Sequence, residues 1–274
     1  MSVVERNRIR GGFSLIELLV VIGVVGILIA IILPALGKAR ASAYQTVALS
    51  NVRSVGTQFV GYEADHGKYP QQDLGEIPAG LDLGPSYEPR GDEVIIPWYP
   101  RGIVIATTDY FEHRWMWPAM VTPLDDWPEH WETWISPRKD EALPELDDFG
   151  FDQEDRVQDV ISIVYSNSFV ADPRHFDGED HGDEPQLLRG VRAHEVRYAS
   201  DKVMLWDDDL SYLVGRNTPE RVDGLLDAPT PMFFGDGHGA AMNPLDASEP
   251  VMYTNSVPTQ KLHGTKDGVH GRDF

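Results

Sequence analysis

The 274 residues carry 23 basic and 44 acidic side chains, a formal net charge of −21 at pH 7. That balance excludes nucleic acid as a partner and argues against docking on an anionic lipid face, because like charges repel. Cysteine is absent, which excludes disulfides and thiolate chemistry, and the length allows one membrane helix plus a globular domain of about 200 residues.

Residues 1–12 read as a short polar leader, with Arg6, Arg8 and Arg10 against the one acid Glu5. The positive-inside rule assigns such a segment to the cytoplasm. Its removal would leave a net charge of −23. From Leu18 to Leu33 no side chain is charged or strongly polar. Taken back to Phe13 the stretch is roughly 31 Å long as a helix, enough to cross a bilayer core. Residues 13–36 are therefore the transmembrane half of a helix. Glu17 interrupts it, and a lone carboxylate in lipid costs several kcal/mol unless a partner neutralises it. Such a residue implies a function. Pro34 lacks a backbone donor and clashes with the preceding turn, so the helix can kink there.

Helical spacing resumes over 37–66. Lys38-Ala39-Arg40 marks the membrane surface, and Ala48, Val52, Val55, Phe59 and Tyr62 form one apolar stripe. The predicted helix runs from about Phe13 to Asp65, with Gly67 and Pro70 placed to end it. Residues 67–242 form an acidic globular domain. Its first part, 71–144, is irregular and rich in proline and aromatics, with short strands predicted at Val94–Ile96 and Gly102–Ala106. Six of the seven tryptophans fall here: Trp98, Trp115, Trp117, Trp127, Trp131 and Trp134. They are either core or an aromatic platform for a polysaccharide or a partner subunit.

An acidic connector covers 137–159. Asp159 to Val170 is the densest run of β-branched and aromatic residues, and predicts a strand. A polar loop at 177–184 follows. Val203–Trp206 predicts a buried strand that ends abruptly in Asp207-Asp208-Asp209. Pro231 to Met242 predicts two strands joined by a glycine-rich turn. The tail, 243–274, reads as loosely ordered.

Motifs of catalysis are missing: there is no phosphate loop, nucleophile elbow or His-Glu-x-x-His. His175, His181 and His194 with Asp177, Asp180, Asp183 and Glu195 match no metal-ligand spacing. No cofactor is implied, the one candidate being a structural Ca2+ on Asp207, Asp208 and Asp209 or on the 177–184 loop. Hard cations take several carboxylate oxygens on a turn.

Gly12-Phe13-Ser14-Leu15-Ile16-Glu17 resembles the cleavage and methylation site of type IV prepilins and type II secretion pseudopilins. The resemblance implies cutting between Gly12 and Phe13 by a prepilin peptidase that also N-methylates Phe13. It implies that Glu17 meets a neighbouring subunit's amino terminus during assembly, and that Pro34 is the family's helix proline. Gly67-Lys68-Tyr69-Pro70 resembles the helix exit of pseudopilins. Trp134-Ile135-Ser136-Pro137, Tyr165-Ser166-Asn167, Lys202 to Asp207 and Phe234-Gly235-Asp236-Gly237-His238 resemble a subgroup of bacterial pilin-like proteins. Many of those have cysteine where this chain has Ser136, and histidine where it has Leu226, so a metal or disulfide of that subgroup does not carry over.

The expectation is an α+β, type IV pilin-like fold: a long amino-terminal helix packed in its second half on an antiparallel β-sheet, with an aromatic and proline-rich insertion. The implied role is structural, not enzymatic: a subunit of a type II secretion pseudopilus or type IV pilus-like filament. Its partners would be the peptidase, other pilin-like subunits, an inner-membrane assembly platform and lipid. The precursor would sit in the bacterial inner membrane as a single-pass protein with a cytoplasmic amino terminus. The competing reading is a membrane-anchored surface protein that binds polysaccharide through the tryptophan-rich segment.

Overall fold

The computed structural model describes residues 15–71, 93–98, 102–107, 117–123, 126–139, 161–179, 181, 186–213, 218–251 and 260–274. The chain divides into two units, Met1–Ala43 and Tyr44–Phe274. One helix, α1 (Leu15–His66), runs through residues of both, with Pro34 in its interior. Gly67 terminates it at φ +71°, and its N–H donates to the Glu63 carbonyl at 2.7 Å. A positive φ suits glycine because no Cβ collides there.

In the first unit, every large apolar side chain from Leu15 to Leu36 is exposed. The second unit treats the helix differently: Ala48, Val52, Val55, Gly56 and Phe59 are buried, at the three- and four-residue spacing of one helix face.

The remaining elements are short. β1 (Glu93–Trp98) and β2 (Gly102–Thr107) form an antiparallel pair, in register from Glu93 opposite Thr107 to Trp98 opposite Gly102. Helices α2 (Pro118–Val121) and α3 (Trp127–Trp134) follow. Then come β3 (Ile163–Tyr165), β4 (Val203–Asp207), the small pair β5 (Arg221–Val222) and β6 (Leu225–Leu226), β7 (Thr230–Phe234) and β8 (Gly239–Met242). The main sheet has the order β3-β4-β7-β8, antiparallel throughout. A long helix with an antiparallel sheet is the α+β, type IV pilin-like arrangement that the sequence predicts.

Both faces of this sheet are covered. Ile163, Tyr165, Leu205 and Phe233 belong to one cluster with Val52, Val55 and Phe59 of α1 and with Trp117 and Trp134. Val164, Val203, Trp206, Met232 and Phe234 belong to a second cluster, with Ala247, Leu262 and Phe274. Strict alternation would put Val203 and Leu205 on one face. The register shifts between them, and Met204 joins Leu205 in the first cluster instead. A bulge of this kind re-aims the side chains that follow it.

Two expectations need correction. The strand expected over 159–170 is three residues long, since the Ser166 hydroxyl accepts from the Ser168 N–H and caps a 3-10 turn over Asn167–Phe169. Asp159 and Val160, like most of the acidic connector, lie outside the described residues. The tail expected to be loose is also well packed where it is described: Leu262, His263, Thr265, Val269 and Asp273 are buried. Ser166 Oγ donates to the Leu262 carbonyl and Ser168 Oγ to that of His263. Its three glycines and many polar residues hide the few apolar side chains that close the second face.

Candidate functional site

Glu17 stands in the first turn of α1, exposed, among leucines, isoleucines and valines that are all exposed. The exposure of Leu15 is 85% and that of Ile16 is 75%. Burying one such side chain is worth about 1.5–3 kcal/mol, so this stretch represents tens of kcal/mol of apolar surface awaiting lipid or other helices. α1 is long and apolar enough to cross a membrane. Gly12 and Phe13 lie outside the described residues. Pro34 sits inside the same apolar stretch, where the helix lacks one backbone donor.

The three aspartates at the end of β4 do not converge. Asp207 Oδ2 accepts from Ser136 Oγ at 2.9 Å, and Oδ1 accepts from the Asp209 and Leu210 amides. Asp208 pairs with Arg221 at 3.1 Å. Asp209 pairs with Lys139 at 2.8 Å and accepts from the hydroxyls of Ser162 and Ser211. Burial pushes the Asp207 carboxyl up to about 7, and the neighbouring Asp209 charge adds to this against the three hydrogen bonds. Burial also disfavours the Asp209 charge, but Lys139 and the hydroxyls outweigh it and hold that carboxyl below its usual range. Among the described residues, no three histidine, aspartate or glutamate side chains are grouped to hold a metal ion.

Ser136 explains why two separated motifs matter to one another. Its hydroxyl donates to Asp207 and accepts from the Ser211 amide at 3.0 Å, joining the segment after α3 to the end of β4. Leu226, the other departure from the subgroup pattern, is buried with Ala48, Leu210 and Tyr212.

Of the histidine-rich set the structure brings His175, His181 and Asp177 together, with the two rings 6.4 Å apart, and leaves Glu195 in a separate network. His181 contacts Asp177 at 3.0 Å, whereas Glu195 is held by Arg189 at 2.6 Å, within a network that also takes Asp172. Asp180 and Asp183 lie outside the described residues.

The tryptophans are core. Trp117, Trp127, Trp131 and Trp134 are all buried. Trp134 meets the other three edge to face at 5.4–6.3 Å, and Trp117 meets Phe59 of α1 at 5.5 Å. The Trp117 indole donates to the Ile163 carbonyl at 2.8 Å. Such rings contribute by packing and edge-to-face contact, and these four present no open face to a sugar. Trp115 and the side chain of Trp98 lie outside what is described.

Sequence reasoning passed over Gly56, Thr265 and Asp273, and named Lys202 only as the start of a motif, without its burial or its partners. Gly56 hides as an ordinary helix residue, although its place in the buried stripe, one after Val55, is a signal. Lys202 is fully buried with its ammonium on Thr265 and Asp273. Its sequence signal is its place at the head of the Lys202 to Asp207 segment, directly before the apolar run Val203–Trp206.

The exposed apolar stretch of α1, in which Glu17 is the one carboxylate, and the antiparallel sheet of the second unit together have the arrangement of a type IV pilin-like fold. Residues 7–33 match the family model described as the prokaryotic N-terminal methylation motif. Two curated relatives, both described as type IV major pilin protein PilE1 of Neisseria gonorrhoeae, are 35% identical to this chain over 101 residues. The match takes in 37% of this chain and 59% and 54% of the two relatives, so the chain spans somewhat over half of their length. No solved structure matches.

Proposed function

We propose that the chain is a structural pilin-like subunit, cut by a prepilin peptidase between Gly12 and Phe13, N-methylated at Phe13 and assembled into a filament through α1. The observation that carries this reading is Glu17, the lone acid in the exposed apolar stretch of α1, within the segment that matches the methylation motif. A new amino terminus on one subunit and Glu17 on the next would neutralise each other. Neither charge is cheap to bury alone.

Before assembly the apolar half of α1 lies in the inner membrane, the leader in the cytoplasm and the acidic domain outside. Assembly exchanges lipid contacts for contacts between helices, on an inner-membrane platform. Pro34 gives the helix a place to yield as it packs. The relatives are type IV major pilins, which supports a pilus-like filament over a secretion pseudopilus. Asp207, Asp208 and Asp209 serve the fold, each through its own partners, rather than a calcium ion. The reading is tested by replacing Glu17 and following cleavage and filament incorporation separately.

A further inference from the structure

Four groups around Lys202 are arranged for a reaction that none of the pilin features requires. Lys202 Nζ lies 3.0 Å from Asp273 Oδ1 and 2.7 Å from Thr265 Oγ1. The Thr265 hydroxyl donates to the same Asp273 Oδ1, which closes a ring of three polar groups. Asp273 Oδ2 faces the Val203 N–H at 2.7 Å. Lys202, Thr265 and Asp273 are all buried, Lys202 completely.

Both backbones are held as well. The Asp273 N–H donates to the Asp201 carbonyl at 2.9 Å, its carbonyl accepts from Ser248, and the Lys202 carbonyl accepts from Gly235. The amine and carboxyl are thus presented to one another with little freedom left to lose. Fixing reactants in this way is one of the largest rate effects known.

We propose that Lys202 and Asp273 become joined by an intramolecular amide between Nζ and the Asp273 side-chain carbonyl. Within this buried pair the reaction starts with one proton passing from the ammonium to Asp273 Oδ1, which gives the amine and acid that can condense. Burial lowers the Lys202 pKa in the direction this transfer needs, against the opposing pull of Asp273. The Nζ lone pair then attacks Asp273 Cγ. The developing oxyanion on Oδ2 faces the Val203 N–H, a donor already in place. Thr265 passes the second amine proton to Oδ1, and the Cγ–Oδ1 bond breaks to release water. Ammonium plus carboxylate gives amide plus one water, with no oxidant or activating group.

The bond would tie the last described segment to the start of β4. In a chain without cysteine it would do what a disulfide cannot do here, linking distant residues covalently. The inference does not depend on filament assembly.

Intact mass measurement and peptide mapping of the purified full chain test it directly. The expected result is a mass lower by one water than the processed sequence requires, with a branched peptide joining Lys202 to Asp273. The full sequence mass, with Lys202 and Asp273 in separate peptides, would overturn it. Thr265→Val, followed by mass after refolding, should close the bond about a hundredfold more slowly. Closure at the wild-type rate would overturn the relay assigned to Thr265.

Discussion

Gly56 of α1 lies flat against the Phe233 ring of β7, so close that a Cβ at residue 56 would fall inside the ring's contact distance. Phe233 is itself buried, in the core cluster that holds Val55 and Phe59. Neither partner has room to give.

That contact reverses an ordinary rule. Replacing a helical glycine by alanine normally stabilises a helix by about 1 kcal/mol. Here Gly56→Ala should destabilise the protein by about 1–3 kcal/mol, the usual range for overpacking. Thermal unfolding of the two proteins decides it. A higher Tm for the variant would mean that helix and sheet do not meet at these residues.

Asp207 makes a prediction with a definite sign. Its carboxyl is raised to about 7 in the folded protein, chiefly by burial, against about 3.9 when unfolded. Above the folded value the native state holds an ionised, desolvated carboxylate. As pH falls toward the unfolded value, the folded chain gains a proton that the unfolded one lacks, so stability from this group rises. Asp207→Asn should therefore stabilise the protein at about pH 8 and lose that advantage near pH 4. Unfolding titrations across this window would show the difference shrinking as pH falls. A difference that grows instead would contradict the buried carboxyl.

Because Asp207, Asp208 and Asp209 face Ser136, Arg221 and Lys139 respectively, calcium should do little. The expected Tm is the same with calcium or with a chelator. A clear rise with calcium would show that the carboxylates abandon these partners and turn to one ion.

Glu17→Ala should leave leader cleavage intact and prevent incorporation into filaments. Immunoblots of membrane and sheared-filament fractions separate the two steps. Normal incorporation of the cleaved variant would remove Glu17 from assembly.

How much of this was legible follows from the kind of signal each part carries. The long helix was plain because Leu18–Leu33 is unbroken and because Ala48, Val52, Val55 and Phe59 repeat at helical spacing. The β7–β8 pair was equally plain, since Gly235-Asp236-Gly237-His238 can only be a turn and Gly237 takes φ +90°. The covered second face of the sheet was half visible. Val203–Trp206 and Met232–Phe234 are apolar without alternation, which is how strands buried on both sides read. What covers them was not visible, because Ala247, Leu262 and Phe274 are single residues among polar groups and glycines. Lys202 and Asp273 meet across 71 positions, and no local pattern announces a contact of that range. For Glu17, the whole signal is local: one charge in an apolar run.

A processed filament subunit acquires a new amino terminus, and that terminus tests the proposed role most directly. Protein purified from its native membrane should begin at Phe13 and carry an N-methyl group, by intact and peptide mass spectrometry. A chain still beginning at Met1 would contradict the account and leave α1 as an uncut membrane anchor.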